Sequence, residues 1–118
     1  MLTEKDVARL LDIANAGINH GEIAEARVIC EGILAARPQH IPTRITLAVS
    51  HAAVGEFEKA EELLLAVLAE HPDDADALAY LGLSYHLAGE KDKARETLAK
   101  VPGDCPAGSL AQSLLALE

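Results

Sequence analysis

The chain has 118 residues, half of them apolar and only 3% aromatic, so its core must be assembled from many small aliphatic side chains within one domain. Nineteen acidic against ten basic residues give a formal charge of -9, and the one basic group, Lys91, Lys93, Arg95 and Lys100, is interleaved with Asp92 and Glu96. That excludes nucleic acid as a partner, because phosphate binding draws on clustered Lys and Arg. The charged start, Met1-Leu2-Thr3-Glu4-Lys5-Asp6, and the shortness of the longest apolar run, Leu63 to Ala69, predict no signal sequence, no membrane insertion and a cytoplasmic location.

Taken in order, Thr3 followed three residues later by Asp6 reads as a capping arrangement. Val7, Leu10, Leu11, Ala14 and Ile18 then recur at helical spacing, which predicts a helix from about Glu4 that breaks between Gly17 and Gly21. Glu22 opens a second helix carrying Ile23, Ala26, Cys30 and Ile33 and ending before Pro38. Pro42 suits the first turn of a third helix, which runs through Leu47 and Ala48 to Val54. After an elbow at Gly55, a helix from Glu56 to Glu70 turns Phe57, Ala60, Leu64 and Val67 inward and keeps Glu58, Glu61 and Glu62 outward.

The next pair carries Leu78 to Tyr85 on its first helix and Ala94 and Leu98 on its second, with Gly89 at the elbow. Pro102 cuts that second helix about a turn early and leaves Val101 to Pro106 as a linker. Ser109 to Leu117 reads as a short closing helix with Leu110, Leu114 and Leu117 on its covering face. Nothing comparable precedes the first helix, so a partner or a second copy is expected there. The ending Leu117-Glu118 also admits a remnant of a truncated, longer chain.

These elements repeat. Stepping back by 34 residues from Gly89 gives Gly55 and Gly21, from Ala94 gives Ala60 and Ala26, and from Pro106 gives Pro72 and Pro38. Three tandem units follow, at about 7–40, 41–74 and 75–106, with a capping helix at about 109–117. Leu78, Leu81, Gly82, Tyr85, Ala94, Leu98 and Pro106 resemble the tetratricopeptide repeat (TPR) pattern, with Leu where that pattern has Trp and Phe. The resemblance implies an all-α solenoid of three helix-turn-helix repeats plus a short C-terminal cap, a single domain over residues 1–118. The small columns Ala14, Ala48, Gly82 and Ala26, Ala60, Ala94 let paired backbones approach.

Catalytic chemistry is not expected. The five histidines are scattered, with no HExxH and no CxxC. His51 and His86 could approach each other on neighbouring first helices, but no third ligand accompanies them, so neither a metal nor a cofactor is expected. Cys30 falls in the packed column of Leu64 and Leu98 and is expected to be a buried free thiol, slower to react than Cys105 in the linker.

The likeness to TPR arrays implies a concave surface lined by the first helix of each unit. Here that surface is expected to comprise Leu11, Asp12, Asn15 and Asn19, then Ile45, Val49 and Ala53, then Ala79, Tyr80, Leu83 and Leu87. Modules of this family that hold a C-terminal carboxylate use Lys, Asn and Arg in those columns, and Leu11, Ile45 and Ala79 stand here instead. The expected partner is a protein or peptide, an apolar amphipathic helix laid in the groove of a non-enzymatic interaction module or small chaperone that is itself a monomer or weak homodimer. The Ala16-Gly17-Ile18-Asn19-His20 elbow resembles small TPR chaperones of bacterial type III secretion systems. Leu98-Ala99-Lys100-Val101-Pro102 is similar to the TPR half of a thioredoxin-like co-chaperonin, and a self-assembling scaffold is the third reading.

Overall fold

The computed structural model describes residues 1–117; the final residue of the expected domain, Glu118, lies outside them. Seven helices and no strand occur among the described residues: α1 (Glu4–Asn19), α2 (Ile23–Ala36), α3 (Ile41–Ala52), α4 (Phe57–Glu70), α5 (Ala75–Leu87), α6 (Lys91–Leu98) and α7 (Pro106–Leu115). Local chemistry fixes their starts. Thr3 Oγ1 accepts from the Asp6 amide at 3.1 Å while Asp6 Oδ2 accepts from the Thr3 amide at 3.0 Å, a reciprocal box that satisfies two donors ahead of the first turn. Asp74 caps α5 by accepting from the Ala77 amide at 2.9 Å, and Pro42 and Pro106 sit in the first turns of α3 and α7, where a missing N–H costs nothing.

The three elbows have one geometry. Gly21, Gly55 and Gly89 have φ of 81, 82 and 84°, a left-handed conformation that other residues adopt only at a cost. The amide after each glycine, at Glu22, Glu56 and Glu90, bonds back to the carbonyls of Gly17, His51 and Tyr85 at 2.7, 2.9 and 2.9 Å, which reverses the chain and opens the next helix. Because Ala53 and Val54 belong to this turn, α3 ends at Ala52, two residues before the expected end.

Helix pairs α1/α2, α3/α4 and α5/α6 stack so that each first helix packs on both helices of the pair before it, giving an elongated body of 43 × 26 × 22 Å. The small columns lie at the closest approaches: Ala14, Ala48, Ala60 and Ala94 are fully buried and Ala26 is 1% exposed. A Cβ on Gly82 would overlap the side chain of Leu98, which would have to shift to admit any larger residue. Leu47 and Ser50 of α3 pack on α2, and Ala77 and Leu81 of α5 on α4, with the buried Thr43 and Ser84 on the same stripes. Their counterparts on α1, Arg9, Ile13 and Ala16, have no preceding helix among the described residues and are exposed.

Two further expectations are corrected. The closing helix begins at Pro106, three residues early, and covers the stack with Ala107, Gly108, Ala111 and Leu114; Leu110 is half-buried, and Leu117, beyond the helix end, is 67% exposed. Proline in the first turn advances the start, and the buried face then follows the spacing 107, 111, 114. Glu61, expected outward, is half-buried, with its Oε1 enclosed and accepting no hydrogen bond.

Candidate functional site

Along α1, Leu11, Asn15, Ile18 and Asn19 fall on one stripe at spacings of four, seven and eight. Pro42, Ile45, Thr46 and Val49 do so on α3, and Asp76, Tyr80 and Leu83 on α5. Because the three first helices lie side by side, these stripes meet in one open cleft of about 500 Å³. Its floor is Ile45, only 6% exposed, and Thr46, whose hydroxyl lies 3.0 Å from the Pro42 carbonyl and 3.3 Å from Asn15 Oδ1, so a polar contact ties α1 to α3 at the wall of the cleft. Among the described residues no Lys or Arg lines the cleft, and Asp76, next to the Asp74 cap, is its one charged lining residue.

Seven of the eleven residues expected in the groove line this cleft: Leu11, Asn15, Asn19, Ile45, Val49, Tyr80 and Leu83. Four do not. Ala79 is fully buried in the cluster of Leu78, Ala94, Leu98 and Ala111, because α6 and α7 close over that side of α5. Asp12 is exposed on α1 beside the cleft, Ala53 lies in the elbow turn, and Leu87 is 52% exposed at the end of α5. Ile18, Pro42, Thr46 and Asp76 were missed by sequence reasoning; each sits three or four residues from a residue named for the groove, which is the spacing that could have found them.

On the opposite side, Arg27 reaches from α2 into the second pair. Its Nη2 donates to Glu56 Oε1 at 2.7 Å, and its Nε to Ser50 Oγ at 3.1 Å; His51 Nδ1 lies 2.9 Å from the same Glu56 oxygen. Hydrogen bonds from His51 and Arg27 hold the Glu56 carboxyl below the usual glutamate range. His51 is thus engaged in an ion-pair network, and among the described residues no group of three His, Cys, Asp or Glu is placed to hold a metal. Burial, reinforced by the neighbouring Glu31, pushes the fully enclosed Cys30 thiol up to about 11, out of range for a nucleophile. A second cleft of about 430 Å³ opens between α4 and α6, where α6 stops at Leu98; Leu65, Leu68 and Leu81 line it beside Lys93 and Lys100.

No helix among the described residues is long and apolar enough to cross a membrane. A family model described as tetratricopeptide repeat matches residues 18–82 and 66–117. No curated protein gives a match to the chain.

Proposed function

The chain belongs to the tetratricopeptide repeat family and is a protein–protein interaction module, and from that premise we propose that its first-helix cleft holds an apolar, amphipathic helix of a partner protein. The observation that carries this reading is the lining itself: Leu11, Ile18, Ile45, Val49, Tyr80 and Leu83 form an apolar strip flanked by Asn15, Asn19 and Thr46, with Asp76 and no cation among the described lining residues. A helix presenting Leu, Ile or Val at i, i+3, i+4 and i+7 fits such a strip. Lys or Arg flanking that face would be drawn to a chain of net charge -9, more by faster encounter than by tighter holding. In a cell, shielding such a helix until it is delivered is the work of a small chaperone, and the type III secretion chaperones named above are the group we favour. The unit boundaries at about 7–40, 41–74 and 75–106 are part of the same proposal.

The test is titration of a labelled, Lys-flanked amphipathic peptide against the protein, with a peptide of scrambled order as control. Saturable binding of the first alone, lost in Leu83→Asp, supports the reading; equal binding of both, or binding untouched by that substitution, overturns it.

A scaffold remains the second reading because Ile13 is 53% exposed on the uncovered face of α1. Self-association that survives dilution and is lost in Ile13→Glu, followed by light scattering, would favour it over the groove.

A further inference from the structure

Consecutive second helices, α2 and α4 or α4 and α6, do not come into backbone contact, so long side chains carry whatever links them. At the first junction that side chain is Arg27, paired with Glu56, the residue that opens α4. Thirty-four residues later the same three positions hold Glu61, Glu90 and Tyr85 in place of Arg27, Glu56 and His51. A cation has been exchanged for an anion, and the residue opposite has stayed acidic.

We propose that the enclosed Glu61 carboxyl holds its proton in the assembled stack, and that its loss as pH rises loosens the third helix pair from the second. The Glu61 carboxyl is half-buried where Arg27 stands one unit earlier, and the neighbouring acidic Glu90 favours its uncharged form. Glu61 Oε1 is enclosed without a donor, so the ionised form is poorly solvated. The other groups that bear on it are Glu58 from α4 itself, Tyr85 from α5 and Lys93 from α6. Only Lys93 opposes the effect, and its ammonium lies 3.3 Å from Glu90 Oε1 and 5.7 Å from the centre of the Tyr85 ring. Burial first, then the contact with Glu90 and its charge, hold the Glu61 carboxyl above the usual glutamate range.

The sign follows. A carboxyl whose proton is held more tightly in the folded state contributes stability at low pH and loses it as pH rises through the raised value. Glu56 runs the other way, since its carboxyl is held low and its pairing with Arg27 is lost only on acidification. The two junctions therefore respond to pH in opposite directions, whichever partner the cleft takes.

Amide hydrogen exchange, corrected for intrinsic rates, reads each junction separately. As pH rises from the ordinary glutamate range towards neutrality the protection of Ala94 and Leu98 in α6 should be partly lost, while that of Ala26 and Cys30 in α2 is not. Glu61→Gln should flatten the α6 response. Glu61→Arg, which rebuilds the Arg27–Glu56 arrangement, should reverse its sign. Carbon-13 titration should place the Glu61 carboxyl above an ordinary glutamate. An α6 response unchanged in Glu61→Gln, or a Glu61 carboxyl titrating at or below the ordinary value, would overturn the proposal.

Discussion

The side chain of Leu98 occupies the space that a Cβ on Gly82 would need, so any side chain at residue 82 would force Leu98 to move. Gly82→Ala, which in an exposed helix would be stabilising, should here cost roughly 1 to 3 kcal/mol through overpacking. Gly32, in the interior of α2 with nothing within 4 Å of a would-be Cβ, gives the opposite case. Gly32→Ala should add roughly 0.5 to 1 kcal/mol. Urea denaturation of the two variants beside the parent should give opposite signs.

In the cleft, Val49→Asp and Tyr80→Ala should weaken binding of a helical peptide about tenfold or more, which is about 1.4 kcal/mol. Far-ultraviolet circular dichroism should stay unchanged, since both side chains are only half-buried. Glu62→Lys is the control on the outer face, where the Glu62 side chain is 72% exposed and makes only a long ion pair to Lys59 at 3.7 Å. It should alter affinity by less than about twofold. Glu61 is unsuitable as that control because it lies in the junction with α6.

For Glu56, the carboxyl held low by His51 and Arg27 contributes stability above the ordinary glutamate value and loses it as pH falls through the lowered one. Glu56→Gln should therefore melt below the parent at neutral pH, and the gap should close in acid. A gap that is the same at both ends, measured by thermal denaturation, would mean that packing rather than charge is lost.

A thiol displaced to about 11 is roughly one part in a thousand thiolate at pH 8, and Cys30 is also sealed from reagent. Cys105 is partly exposed at the head of α7, its Sγ 3.2 Å from the Pro102 carbonyl. A disulfide reagent should modify Cys105 first and Cys30 only at the rate at which the stack opens. Equal rates in the folded protein would contradict the burial.

What the sequence made legible was whatever repeats. Glycines 34 residues apart share one turn, and the alanine columns fall at the helix crossings, because every unit solves the same local problem. Whether a column member lines the cleft or sinks beneath it depends on what stacks beyond it. Leu11, Ile45 and Ala79 share a column, yet Ala79 alone is kept from the cleft, because α6 and α7 close over α5. The Arg27 network joins residues 23 to 29 apart that no helical period connects, and the enclosure of Glu61 Oε1 is likewise a property of the packed helices. Pairings of that kind are set by the assembled stack.

The three glycine turns also bear on how the chain reaches its native state. Each hairpin is closed by bonds between residues three to five apart, and each pair then adds only to its immediate neighbour, so the separation along the chain that must be bridged stays small. Chains of that kind collapse quickly, on the order of microseconds to milliseconds, and can begin in any hairpin. The middle pair, flanked on both sides, should be the last to open. The short α6 with α7 at one end, and α1 at the other, should fray first, and a protease added to the native protein would find its earliest cuts there.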